Sequence, residues 1–203
     1  MALTIYGSEH SRTMRVLWMA AELGLDYTHV ALAFDNPKLK TPEFLQINPA
    51  GAIPTIVDDG FALSESLAIN LYLAKKYGRS EKEPIYPSGS SDEADTWRWT
   101  IWAQGHLEPW VQKDLLLRDL IAAIGDHAGE AIAQSLKVLD RTLADRDWLV
   151  AGHFTVADLN VAAVLSPSRS GKLELSAYPN VATWLKRSYD RPAAINTRKR
   201  FFG

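Results

Sequence analysis

Cysteine is absent from all 203 residues. Its absence excludes disulfides, thiolate metal sites and every cysteine nucleophile. Any thiol chemistry must therefore use a thiol that arrives on a ligand. Histidine is sparse as well: the five, at 10, 29, 106, 127 and 153, include no pair at i, i+4, so no zinc site and no metal is expected. No apolar run approaches the ~20 residues that span a bilayer. The opening Met1–Gly7 stretch lacks the basic and apolar regions of a signal peptide, so a cytoplasmic chain is expected. A large excess of one sign of charge is also missing, with 22 Lys and Arg against 24 Asp and Glu. A formal net charge of -2 gives no reason to expect nucleic acid or an anionic membrane as partner.

What remains is ordinary globular material, with 47% apolar and 23% charged residues, in a chain long enough for two small domains. The two halves follow different patterns. Over residues 1–78, Leu3-Thr4-Ile5-Tyr6 reads as a strand, and Ser11 to Leu23 as a helix with Val16, Leu17, Ala20 and Leu23 on one face. Gly24 ends that helix as its C′ residue, and Tyr27 to Leu32 reads as a second strand, parallel to the first. Pro54–Val57 and Phe61–Leu63 flank Asp58-Asp59-Gly60, a hairpin turn signal. Ser64 is placed to N-cap a helix running to Tyr77 and stopped by Gly78. The order βαβ, short helix, ββα predicts an α+β layer with a mixed sheet. Residues 79–91, polar and holding Pro84, Pro87 and Gly89, read as a linker. Residues 92–203 show helical periodicity alone and contain six of the seven tryptophans, which predicts an all-helical domain.

Three segments of the first half carry residues suited to chemistry. The loop Ser8-Glu9-His10-Ser11-Arg12-Thr13 sets hydroxyls at a helix N-terminus, where free N–H groups and the helix dipole stabilise an anion such as a thiolate; the plainer alternative is Ser11 as an N-cap. Asn48-Pro49-Ala50-Gly51-Ala52-Ile53-Pro54 offers a candidate cis bond that would present the Ile53 N–H and C=O to an extended peptide, against a trans proline opening an edge strand. Ser64-Glu65-Ser66 pairs a helix-start hydroxyl, suited to a carboxylate, with an acid suited to an ammonium, against an ordinary cap. In the second half, Thr155-Val156-Ala157-Asp158, with Phe154 and Leu159 as a hydrophobic staple, reads as a structural capping box on a buried helix from Leu159 to Leu165.

In order and spacing, SRTMRVLWMAAELGLDY, TPEFLQINPAGAIPTIVDDGFALSESLAINLYLAKKYG and DRDWLVAGHFTVADLNVAA together resemble the glutathione transferase superfamily, closest to bacterial members of the serine-dependent type near the theta and zeta classes. The resemblance implies a thioredoxin-like N-terminal domain (βαβ-α-ββα) at 1–78 that binds glutathione, and an all-α C-terminal domain at 92–203 that holds an apolar electrophile. It implies that Pro54 is cis, that the Ile53 backbone pairs with the cysteinyl part of glutathione, and that Glu65 and Ser66 hold the γ-glutamyl end. Ser11 is the implied activating hydroxyl, with Ser8 and Thr13 as alternatives, and Arg12 either adds positive potential nearby or is a surface residue. Ala52 departs from members with Lys or Gln there, so the glycyl carboxylate would fall to Lys40 or Lys38. Trp97, Trp99, Trp102, His106 and Trp110 are candidate pocket residues, against a packed interhelical core; Trp99, Trp102 and His106 share one face at i, i+3, i+7. The resemblance further implies conjugation of glutathione to an electrophile without a metal, in a homodimer. A non-catalytic binding protein of the same fold is the rival, and a glutathione-dependent isomerase or peroxidase is a second.

Overall fold

The computed structural model describes residues 2–78, 80, 82–111, 122–167 and 173–202. It divides into two compact units: Met1–Arg79 with Arg191–Gly203, and Ser80–Asp190.

The first unit is built on a four-stranded sheet of order β2-β1-β3-β4, with strands β1 (Leu3–Tyr6), β2 (Thr28–Val30), β3 (Thr55–Asp58) and β4 (Phe61–Ser64). β1 and β2 are parallel, while β1–β3 and β3–β4 are antiparallel. Ile5 and Ile56 are register partners and fully buried, each contributing roughly 1.5–3 kcal/mol of apolar burial. The hairpin closes through Asp59 and Gly60, at φ 49° and 88°; two consecutive positive φ values match the twist of the flanking strands. Helix α1 (Thr13–Glu22) connects β1 to β2. It ends in a Schellman motif, in which Leu25 N–H donates to the Ala20 carbonyl and Gly24 N–H to that of Ala21, with Gly24 at φ 60°. A 3-10 turn (Pro37–Lys40) and α2 (Pro42–Ile47) follow β2, and α3 (Ser66–Tyr77) follows β4. The helix after β4 starts one residue later than expected. Ser64 is the last residue of β4, and Glu65 takes the N-cap position without a side-chain cap.

Helix α1 is buried almost all round, between α3 and the C-terminal helix α8 (Pro192–Phe202). The sequence pattern puts residues 92–203 together, whereas Arg191–Gly203 groups with the first unit. The reason is a bidentate ion pair: Arg191 donates from Nε and Nη2 to the buried Glu22 carboxylate at 2.9 and 2.8 Å, and Trp18 Nε1 donates to the same carboxylate at 2.9 Å. Such a pair fixes orientation as well as distance.

Asp58, on β3, has a fully buried carboxylate that accepts from Tyr72 Oη, Lys76 Nζ and Tyr77 Oη at 2.8 Å each. Burial pushes this carboxyl up, but the hydrogen bonds from Lys76, Tyr77 and Tyr72 outweigh it and hold the group below its ordinary value of 3.8. A depressed native pKa contributes stability above the ordinary carboxyl range, and that stability is lost as pH falls through the native value. The melting-temperature advantage of the wild type over Asp58→Asn is therefore expected to be constant near neutrality and to shrink below about pH 4. Paired thermal melts across pH check it; an advantage that grows in acid would contradict the assignment.

The second unit is all-helical: α4 (Ser90–Trp102), a π-helical turn (Ala103–Leu107), α5 (Ala122–Thr142), α6 (Val156–Val164) and α7 (Pro179–Tyr189). Its core holds Trp99, Leu107, Leu136, Leu139, Leu159 and Trp184. α6 begins at Val156 rather than Leu159, with Phe154 and Leu159 both buried beside its start. Of the linker read at 79–91, Arg79 and Glu81 lie outside the described residues, and Ser90 already belongs to α4. The fold class is thus a thioredoxin-like unit with a mixed sheet and an all-helical unit. Among the described residues, no helix is long and apolar enough to cross a membrane.

Candidate functional site

Three loops of the first unit meet at the start of α1. Gly7, which ends β1 at φ 132°, is the point of contact between two of them: a Cβ there would lie 2.1 Å from Thr13 Oγ1 and 3.0 Å from Ile53 Cβ. The third is joined through α1 itself, where Arg15 Nη1 donates to Ser66 Oγ at 3.3 Å. The candidate segments at 8–13, 48–54 and 64–66, far apart in sequence, therefore form one locus.

In the first loop, Ser11 is not the N-cap of α1. Arg12 holds that position in helical conformation and makes no side-chain cap. Ser11 nevertheless does part of a cap's work, since its Oγ accepts from Thr13 N–H at 3.1 Å. The same hydroxyl donates to the Ser8 carbonyl at 2.6 Å and lies 2.9 Å from Thr13 Oγ1. Ser8 Oγ accepts from His10 N–H at 3.1 Å. Ser11 and Ser8 are half-buried, whereas Thr13 is fully buried against Gly7. His10 is exposed, with its ring against Phe202.

In the second loop the Ile53–Pro54 bond is cis. Ile53 packs its side chain on the cluster of Leu32, Leu39 and Phe44, which anchors it from the protein side. The loop is braced by Asn48, which sequence reasoning does not single out: its Nδ2 donates to the Ala52 carbonyl and to Thr55 Oγ1, both at 2.9 Å, while its Oδ1 accepts from Ala50 N–H. Thr55 Oγ1 in turn donates to the Ala52 carbonyl at 2.8 Å. Lys40 closes the other side, donating from Nζ to the carbonyls of Ala50 and Gly51 at 3.2 and 3.0 Å. Lys38 is exposed.

In the third segment Glu65 is held at φ 71°, a conformation that costs a non-glycine residue on the order of 1–3 kcal/mol and collects at functional sites. Its side chain is exposed, while Ser66, the first residue of α3, is buried. Arg15 is a second residue that sequence reasoning misses. It is only 5% exposed.

The aromatic residues of the helical unit do not share one face. Trp99 is buried, Trp102 and Trp110 are half-buried, and His106 and Trp97 are exposed. The i, i+3, i+7 reading assumes an uninterrupted α-helix. The π turn at Ala103–Leu107 inserts an extra residue, which rotates the downstream residues by about 100°. Trp99 belongs to the interhelical core, edge-on to Trp102 at 5.1 Å. Among the described residues, no cluster of three His, Asp or Glu side chains is placed to hold a metal.

A thioredoxin-like unit carrying this loop arrangement, with an all-helical unit in the same chain, defines a class that the comparisons resolve. A family model for the glutathione S-transferase N-terminal domain matches residues 1–75, and one for the C-terminal domain matches 123–192. The chain is 32% identical over 189 residues to glutathione S-transferase D7 of Drosophila melanogaster, covering 92% of this chain and 84% of that protein. It is 32% identical over 209 residues to glutathione S-transferase 3 of Zea mays, covering 96% and 92%. Among solved structures, the glutathione transferase URE2P6 of Phanerochaete chrysosporium in complex with oxidized glutathione superposes with a TM-score of 0.89 at 25% identity, covering 98% and 96% of the two chains. The chain belongs to the glutathione S-transferase family of enzymes.

Proposed function

We propose that this protein binds glutathione and activates its thiol for attack on an apolar electrophile. One observation carries the reading: the convergence at the head of α1 of a hydroxyl-bearing loop, the Ile53 segment and the Glu65-Ser66 turn. The cysteinyl backbone pairs with Ile53, Glu65 takes the ammonium and Ser66 the carboxylate of the γ-glutamyl end, and Lys40 faces the glycyl carboxylate. The sulfur then lies at the N-terminus of α1, where the helix dipole favours the thiolate. A hydroxyl donating to that sulfur lowers the thiol pKa further. The thiol proton leaves to solvent, the sulfur lone pair forms the new C–S bond, and the electrophile's leaving group or π bond takes the displaced electrons. The chain acts as a homodimer in the cytoplasm in this reading, and belongs among the serine-dependent members of the family.

Ser11 is the proposed donor, and Thr13 Oγ1 at 2.9 Å is the neighbour that can support it. Ser8 is the second reading, favoured by a specific observation. The Ser11 proton is engaged by the Ser8 carbonyl, whereas Ser8 Oγ accepts from His10 N–H and keeps its proton for another acceptor. Titration of the bound thiol by its ultraviolet thiolate absorbance separates the two. Ser11→Ala is expected to raise the thiol pKa and lower kcat roughly 100-fold or more, with glutathione affinity retained. An unchanged Ser11→Ala beside a raised pKa in Ser8→Ala would move the role to Ser8. Retention on a glutathione resin without turnover of a chromogenic electrophile, a hydroperoxide or a maleyl keto acid would favour a binding protein instead.

A further inference from the structure

We infer that Arg15 is a positioning residue for the ligand's γ-glutamyl carboxylate, acting by setting the direction of the Ser66 hydroxyl proton. The inference rests on the glutathione reading and adds to it a residue outside the three loops. The Arg15 guanidinium is buried in α1, and its Nη1 donates to the buried Ser66 Oγ. A guanidinium has donors and no acceptor, so the Ser66 proton cannot point back at it. With one lone pair of Oγ taken by Arg15, the hydroxyl must donate away from α1. Ser66 is also the first residue of α3, and a helix-start N–H has no carbonyl to meet within its own helix. The hydroxyl and that N–H are thereby both donors at the same helix start, which suits a carboxylate and disfavours a neutral or cationic group.

The test is a ligand comparison. Glutathione and γ-aminobutyryl-cysteinyl-glycine differ by the one carboxylate, and their dissociation constants are measured by calorimetry for wild type, Arg15→Lys and Ser66→Ala. The wild type is expected to prefer glutathione roughly 10- to 100-fold, the range of one charge-assisted hydrogen bond. Arg15→Lys, which keeps the charge but loses the planar fork, is expected to cut that preference severalfold or more while the carboxylate-free peptide binds as before. Ser66→Ala should erase most of the preference with Arg15 in place. A merely structural role for Arg15 would weaken both peptides alike, and that result would overturn the inference, as would full preference in either variant. Should Arg15→Lys fail to fold, full preference in Ser66→Ala would still overturn the inference. Failure of the wild type to bind either peptide would instead count against the glutathione reading itself.

Discussion

Asp158→Ala is expected to cost roughly 3–5 kcal/mol of stability, because it leaves several buried donors without their acceptor. The carboxylate is fully buried near the start of α6 and is met by four donors: Leu149 N–H and Trp184 Nε1–H on Oδ1, and Thr155 N–H and Oγ1–H on Oδ2, at 2.9, 2.9, 2.9 and 3.0 Å. Burial pushes this carboxyl up, and those donors oppose the rise. The donors come from three places, the loop before α6, its N-cap and α7, so one side chain fastens three pieces of the helical unit. Truncation leaves three N–H groups in an interior where each unsatisfied one costs about 1–3 kcal/mol. Asparagine does not rescue the site, because its amide must turn NH2 toward N–H on one side or the other. A native protein has about 5–15 kcal/mol in total, so a large fraction of the margin is at stake. Urea unfolding followed by tryptophan fluorescence reports on this unit, which contains six of the seven tryptophans. A midpoint within experimental scatter of the wild type would refute the assignment.

The capping box is legible in the sequence because its parts lie within four residues and its logic is local. The same holds for β1, the Schellman end of α1 and the two-residue hairpin, where Gly24, Asp59 and Gly60 announce the backbone they adopt. What escapes is non-local or depends on the axis of a helix. Arg191 and Glu22 are separated by 169 residues, and no periodicity in α8 reveals that it packs on α1. Nothing in its neighbours along the chain marks Arg15 as buried, yet α1 is covered on both sides. His106 groups with Trp99 only by counting α-helical turns that the π segment does not keep. The candidate site shows the same division. Its three segments can be picked out one by one, but their meeting depends on contacts between Gly7, Thr13 and Ile53 and between Arg15 and Ser66. The Asn48 brace is hidden by the prolines and glycine around it, which mark a loop without saying what holds it.

Gly7→Ala is expected to lower kcat/KM roughly 100-fold, the loss associated with a displacement of about 1 Å in a catalytic group. Gly7 cannot yield in any direction. Its N–H donates to the Val30 carbonyl at 2.9 Å, and its own carbonyl is held by His29 Nε2 at 2.7 Å, with the His29 ring packed edge-on against Phe201. At φ 132° the backbone occupies a region that side-chain-bearing residues rarely adopt. The added methyl would stand 2.1 Å from Thr13 Oγ1, and Thr13 is fully buried. Relief requires either rotation of Thr13, which breaks its contact with Ser11, or retreat of the whole 8–13 loop from Ile53. Either movement separates the hydroxyls proposed to activate the thiol from the segment proposed to hold the cysteinyl backbone. The double variant Gly7→Ala/Thr13→Ala tells the two costs apart. Removing Oγ1 relieves the collision and should restore part of the lost melting temperature, while the positive φ remains unfavourable. Activity should stay low, because the Ser11–Thr13 contact is then gone by construction. Initial rates with glutathione and a chromogenic electrophile, measured alongside thermal melts, check both halves. Near wild-type turnover in Gly7→Ala would mean that the spacing between loop 8–13 and Ile53 does not govern the chemistry.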